Sequence, residues 1–232
     1  MKSVLVQWVL VFQIGMLTYS NFGFAGTWRD DFEDGREPEW AIYNLDRRVE
    51  KWWVDEGEAV GQIFEPGFMS LWLTGDMDWN NYSLSCRVKL VQEKHLPASV
   101  GLTLYDRGEL DERYLFFINF TLGTTRIIKA TPQIWFIRNF PFVGDIEKWY
   151  ELKASVNGDL LEFRIDDEVF AARDLQPLKS GQAGLVVSGA QARFDHVEIT
   201  GEEIKEGGPG RPRSVGLNGK LAAAWGRVKS AR

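Results

Sequence analysis

Between residues 149 and 200, apolar and polar side chains alternate one by one. Tyr150, Leu152, Ala154 and Val156 fall on one face, and Glu151, Lys153 and Ser155 on the other, which is the period of a half-buried strand. Leu161, Phe163 and Ile165 repeat the pattern after Asn157-Gly158, and Asp166-Asp167 turns the chain again. This spacing predicts an antiparallel meander, then a long connection and two final strands. Upstream, Tyr82, Leu84, Cys86, Val88 and Leu90 alternate inward. The next two strands, over 99–105 and 114–120, are apolar on both faces where Leu115 and Phe117 oppose Tyr114, Phe116 and Ile118, as central strands are. Residues 125–130 and 133–138 form a hairpin turned at Thr131-Pro132, and shorter strands precede 82, turned at Asp55-Glu56-Gly57 and Pro66-Gly67. No segment before the tail carries a helical period. Roughly a dozen short strands with frequent turns predict an all-β, two-sheet antiparallel sandwich.

The ends of the 232-residue chain depart from this pattern. Lys2 precedes an uncharged run over residues 3–24, and Gly23-Phe24-Ala25 offers small residues where a signal peptidase reads. Residues 1–25 therefore read as an export signal. Gln7, Gln13, Gly15, Ser20 and Asn21 interrupt the run and make it a poor permanent membrane span. The domain is expected over 26–201, in a secreted, periplasmic or cell-surface protein. Residues 202–232 read as a flexible tail: a Gly/Pro linker, Gly207-Gly208-Pro209-Gly210-Arg211-Pro212, then a basic stretch. In that stretch a short helix over 217–228 would place Leu221, Trp225 and Val228 on one side. The single cysteine, Cys86, alternates inward, so no intrachain disulfide forms. Net charge is -6, and much of the basic complement lies in the tail. The folded body is thus more acidic than the total, which argues against nucleic acid as a partner.

Several short motifs recur in a recognisable order. They are Arg29-Asp30-Asp31-Phe32-Glu33-Asp34-Gly35, Tyr82-Ser83-Leu84, Val100-Gly101-Leu102 with Tyr114-Leu115-Phe116-Phe117, Trp149-Tyr150-Glu151-Leu152-Lys153, and Gly184-Leu185 leading to Phe194-Asp195-His196-Val197. Together they resemble the concanavalin A-like lectin/glucanase superfamily, most closely its laminin-G-like jelly rolls and the 3-keto-disaccharide hydrolase type domains of bacterial exported proteins. The resemblance spans residues 28–200. It implies a two-sheet jelly roll with first and last strands side by side, a concave face that meets sugar, and Asp31 near Asp195. It also implies calcium near the terminal strands, with Asp30, Asp31, Glu33 and Asp195 as oxygen ligands.

Catalytic signals are sparse. Family 16 glucanases of this fold carry Glu-x-Asp-x-x-Glu on one strand. The nearest match, Glu109-Leu110-Asp111-Glu112-Arg113-Tyr114, has Tyr114 in place of the last Glu and falls in a turn. It reads as a solvated turn. His95 and His196 have neither metal-site spacing nor a nucleophile beside them, and no glycine-rich turn precedes a helix. Sugar binding needs aromatic faces interleaved with hydrogen-bonding side chains. The stretches that offer both contain Trp52, Trp53, Trp79, Asn81, Trp135 and Arg138, with Arg107 and Arg113 as rim contacts. The expectation is an exported, non-catalytic module that binds carbohydrate or a cell-surface glycan. Its alternatives are a glycoside hydrolase of (keto-)disaccharides using Asp106, Glu109, Asp111 or Glu151, and a protein-binding laminin-G-like surface domain. The site is expected between residues 52 and 138, with 149–200 as the scaffold behind it.

Overall fold

The structure is a computed structural model that describes residues 25–43, 50–108, 112–132 and 134–210. The segment expected to be an export signal and the basic tail beyond Gly210 lie outside these residues. The first strands are β1 (Gly26–Asp30), β2 (Ala41–Tyr43), β3 (Glu50–Asp55), β4 (Glu58–Ile63) and β5 (Met69–Thr74). The long β6 (Tyr82–Glu93) follows, then β7 (Ser99–Asp106), β8 (Arg113–Asn119), β9 (Thr124–Ala130) and β10 (Ile134–Pro141). The chain closes with β11 (Trp149–Asn157), β12 (Leu160–Ile165), β13 (Glu168–Arg173), β14 (Gln182–Ser188) and β15 (Ala190–Gly201).

These strands form two antiparallel sheets. One runs β13-β12-β11-β6-β15-β4-β3, and the other β10-β9-β8-β7-β14-β5-β2. One edge of β15 is shared: its first half pairs with β4, from Ala190 opposite Ile63, and its second half with β1, from Val197 opposite Asp30. The first and last strands therefore lie side by side. In β6 and β11 buried and partly exposed residues alternate as the pattern requires, so one face seals the core and the other meets water. β7 and β8 are buried on both faces and lie mid-sheet, as expected for strands that are apolar on both sides.

The core fills the space between the sheets. At one end Trp72 stacks on Trp40 and Trp52, with ring centroids 4.8 and 5.2 Å away, and Phe32 lies 5.9 Å from it. The buried indole of Trp52 donates to Ser70 Oγ at 2.6 Å, which satisfies its one polar atom. Gly61 makes room for that ring, since a Cβ there would lie 2.5 Å from it. At the other end Tyr82, Tyr105, Tyr114, Phe116 and Phe163 form a chain of ring contacts.

The first part of the segment read as a linker packs against β1. Ile204 is buried, Gly207 donates to Thr27 O and accepts from Arg29 N, and Gly210 donates to Arg29 O. Residues 202–210 thus run along the free edge of β1 and satisfy its backbone groups. Gly208 has φ +88°, and a Cβ there would strike Arg29 O. The glycines that suggested flexibility instead allow this close approach.

Candidate functional site

On the outer face of the first sheet the strand registers set polar residues in rows. Ser155 on β11 faces Ser83 on β6 and Glu162 on β12, while Ser83 faces Thr200 on β15. Two residues along, Lys153 faces Arg164 on one side and Ser85 on the other. In the opposite direction Asn157 faces Leu160. Side chains two apart on a strand share a face at roughly 6.5 Å spacing, so the serine-threonine row is a low floor between two taller rows. The result is a groove of ≈ 590 Å³ lined by Asn81, Ser83, Lys153, Ser155, Asn157, Glu162, Arg164, Val169, Thr200 and Glu202, among others.

The groove is rich in unsatisfied polar groups. Among the described residues the side chains of Ser83, Lys153, Ser155, Glu162, Arg164 and Glu202 make no hydrogen bond or ion pair within the protein. Asn81 is held in place: its Oδ1 accepts from Gly158 N at 2.9 Å and its Nδ2 donates to Asn80 Oδ1 at 3.0 Å. Donors and acceptors that water alone satisfies can be exchanged for a ligand's hydroxyls at small net cost.

The outer face of the second sheet is of another kind. Leu71, Leu73, Leu115, Phe117, Ile128, Ala130 and Val186 form a second apolar cluster, with Tyr43 and Met69 packed against it. Along β8 the residues on this face are Arg113, Leu115, Phe117 and Asn119, so the strand offers it no alternating carboxylates. Asp106 is fully buried and accepts from Arg113 Nε at 2.8 Å, Gly108 N at 2.9 Å and Thr103 Oγ1 at 3.3 Å. Burial nonetheless pushes its carboxyl above the ordinary range, against the opposing pull of Arg113.

Among the described residues, Asn81 alone of those expected to bind lines the groove. Trp52 and Trp79 are corrected to core: they are 7% and 8% exposed, and Trp79 packs edge-on against Tyr82. Arg113 is corrected from a rim contact to the buried partner of Asp106, its guanidinium also 5.0 Å from the Tyr43 ring. Trp53 is half-buried on edge strand β3, on the outer face of the first sheet but with β4, β15 and β6 between it and β11. Arg107 lies near Glu112 at 3.9 Å, and Arg138 is exposed on edge strand β10. Trp135 faces Lys129 in register on β10, but its side chain, like the residues Glu109 and Asp111, is outside the described set. Glu151, exposed, sits 3.9 Å from Arg87. The groove comes mostly from residues 153–200, where the sequence placed the scaffold, with Asn81, Tyr82, Ser83 and Glu202 as the remainder.

Two of the four carboxylates proposed for calcium are already engaged within the protein. Both oxygens of buried Asp30 are taken, by Phe32 N at 2.9 Å and Trp40 Nε1 at 2.8 Å. Asp195 binds His196 and lies 3.6 Å from Arg87. Among the described residues no three His, Cys, Asp or Glu side chains gather as a metal cradle requires.

Asp30 does leave a measurable signature. Burial, with a smaller push from Asp34 and Glu39, raises its pKa from 3.8 to about 6 against the pull of its two hydrogen bonds. A raised folded-state value means that stability is lost as pH climbs from the unfolded pKa through the folded one. Relative to Asp30→Asn, the wild-type chain is expected to lose up to about 3 kcal/mol of unfolding free energy between pH 3.5 and 7. Urea melts of both chains across that range check it; parallel curves would show an ordinary carboxylate.

Among solved structures of the same architecture is the carbohydrate binding module CBM66 from Bacillus subtilis. It matches at TM-score 0.60 and 19% identity, over 69% of this chain and 94% of that one. A protein of unknown function with a galectin-like fold, also from Bacillus subtilis, matches at 0.56 and 9% over 74% and 94%. A prokaryotic β-1,3-1,4-glucanase (lichenase) derived from a mouse hindgut metagenome matches at 0.54 and 12% over 75% and 98%. The fold is the concanavalin A-like jelly-roll sandwich. No family model matches the chain, and no curated protein matches it in sequence.

Proposed function

We propose that this protein is an exported, non-catalytic carbohydrate-binding module and that the groove on the outer face of the first sheet is its site. The observation that carries the reading is a recess floored by Ser83, Ser155 and Thr200 and walled by amide, ammonium, guanidinium and carboxylate groups, most of them without partners inside the protein. Sugar hydroxyls need such a mixture of donors and acceptors at fixed spacing. The same jelly roll is the fold of the carbohydrate binding module CBM66, which supports this reading. Export rests on the uncharged run over residues 3–24. The hydrolase alternative loses support because Asp106, one of its carboxylates, is sealed in the protein by Arg113, Gly108 and Thr103.

Ser155→Trp tests the assignment. Indole on the floor fills the recess, while a large aromatic residue is at home on a strand. Retention on immobilised polysaccharides is expected to fall by at least about tenfold, the loss of one well-made charge-assisted contact or two neutral ones, with the melting temperature kept. A panel that binds wild type and Ser155→Trp alike would place the site elsewhere, and binding to a protein partner but to no polysaccharide would favour the laminin-G-like alternative.

A further inference from the structure

One row of the groove holds two cations in direct opposition. Lys153 on β11 and Arg164 on β12 are register partners, so their Cβ atoms stand about 5 Å apart on the same face. Like charges placed this way repel and cost stability. The immediate neighbours in the row are uncharged, Ser85 beyond Lys153 and Val169 beyond Arg164, and the carboxylate that follows Ser85, Glu198 on β15, is engaged by Arg29 at 3.1 Å. Glu162, one row away, makes no ion pair with either, and the next cation on β6, Arg87, already lies 3.6 Å from Asp195 and 3.9 Å from Glu151. Both residues are exposed and line the recess.

We infer that the groove takes an anionic polysaccharide, whose carboxylate or sulfate sits between Lys153 and Arg164 while the hydroxyls of the same residue reach Ser155 and Glu162. This rests on the groove being a carbohydrate site. A guanidinium grips a carboxylate or sulfate with two parallel N–H bonds, and the ammonium adds a point charge from the other side. An anion there removes the repulsion between the two cations, a gain that a neutral sugar cannot supply. Glu162 on the adjacent row accepts from a sugar hydroxyl and disfavours a second anion, so the charge is fixed at one end of the ligand.

The test uses the full chain and two pairs of polymers that differ only in charge: polygalacturonate against its methyl-esterified form, and dextran sulfate against dextran. The first pair isolates a carboxylate and the second a sulfate. Wild type is expected to bind at least one charged polymer about tenfold or more tighter than its neutral counterpart, with the preference shrinking as salt is added. Lys153→Gln/Arg164→Gln should abolish the preference and keep the weaker neutral binding. Lys51→Gln/Lys179→Gln, an equal charge change outside the groove, should leave the preference intact. The inference is overturned if wild type shows no preference for either charged polymer, or if the two double variants behave alike. The underlying reading fails separately: Ser155→Trp would then leave every polymer bound as before, whereas loss of all binding in Ser155→Trp with an unchanged preference in Lys153→Gln/Arg164→Gln keeps the site and removes the anion.

Discussion

Trp72→Ala is expected to lower the unfolding free energy by about 3–5 kcal/mol, the cost of emptying a large aromatic position in a core that cannot collapse around it. Trp72 is 2% exposed on β5 and meets Phe32, Trp40 and Trp52, with Trp52 passing the contact on to Phe194 on β15. The stack therefore couples both sheets to the two segments that flank the turn after β1. Each ring pair adds about 0.5–1.5 kcal/mol beyond the area it buries, and alanine forfeits three of them. Trp53→Ala is the control: one residue from Trp52 but on the opposite face, it should cost about 1 kcal/mol. Urea denaturation separates them, the Trp72 variant showing a large fall in midpoint at little changed slope. Equal losses at Trp72 and Trp53 would contradict the inward-outward alternation on which the whole fold depends.

That alternation explains why the architecture can be read from residue order alone. A strand with one wet face writes its burial into every second position, and Tyr150, Leu152, Ala154 and Val156 are all buried where the period places them. Turn residues mark the ends: Asp166 and Gly158 both adopt positive φ at the two turns of the meander. The same logic misplaced Trp52 and Trp79. Alternation says that neighbouring aromatics point to opposite faces, but not which of the two is inside, and Trp52 with Trp53 offered no local sign. Gly61 and Ser70, which accommodate the Trp52 ring and bind its nitrogen, lie on other strands.

The groove was hidden for a related reason. Its floor comes from Ser83, Ser155 and Thr200, which are separated by dozens of residues and become neighbours only through the pairing of β6 with β11 and β15. Each alone is an ordinary outward residue of a half-wet strand. What makes a recess is that three small side chains share one row while Lys153 and Arg164 share the next, and row membership is a property of register. The outward set Glu151, Lys153 and Ser155 was visible as a solvent face; its neighbours across the sheet were not. Two of the tryptophans that resemble sugar platforms in the sequence, Trp52 and Trp79, belong to the core.

Arg113→Met is the second large effect, expected to cost about 3–5 kcal/mol at pH 7, as breaking one side of a buried ion pair does. The variant keeps a side chain of similar length, so the loss comes from leaving Asp106 buried without its counter-ion, with Gly108 N and Thr103 Oγ1 to hold it. Burial already pushes that carboxyl above its ordinary range with Arg113 present, and removing the guanidinium raises it further. A folded-state pKa above the unfolded one means that stability is lost as pH rises, so the penalty of Arg113→Met should be smaller at pH 5 than at pH 7. Asp106→Asn/Arg113→Met should recover part of the loss at pH 7 and show little of this pH dependence, because no buried charge remains. Unfolding of the wild type, the two single variants and the double variant at both pH values completes the cycle. A pH-independent loss in Arg113→Met would mean that the arginine acts by packing on Tyr43, 5.0 Å from its guanidinium, and not by neutralising Asp106. The distinction bears on the hydrolase alternative as well, since a carboxylate that the fold must neutralise to remain stable is a structural charge closing the β7–β8 hairpin and not a group held ready for substrate.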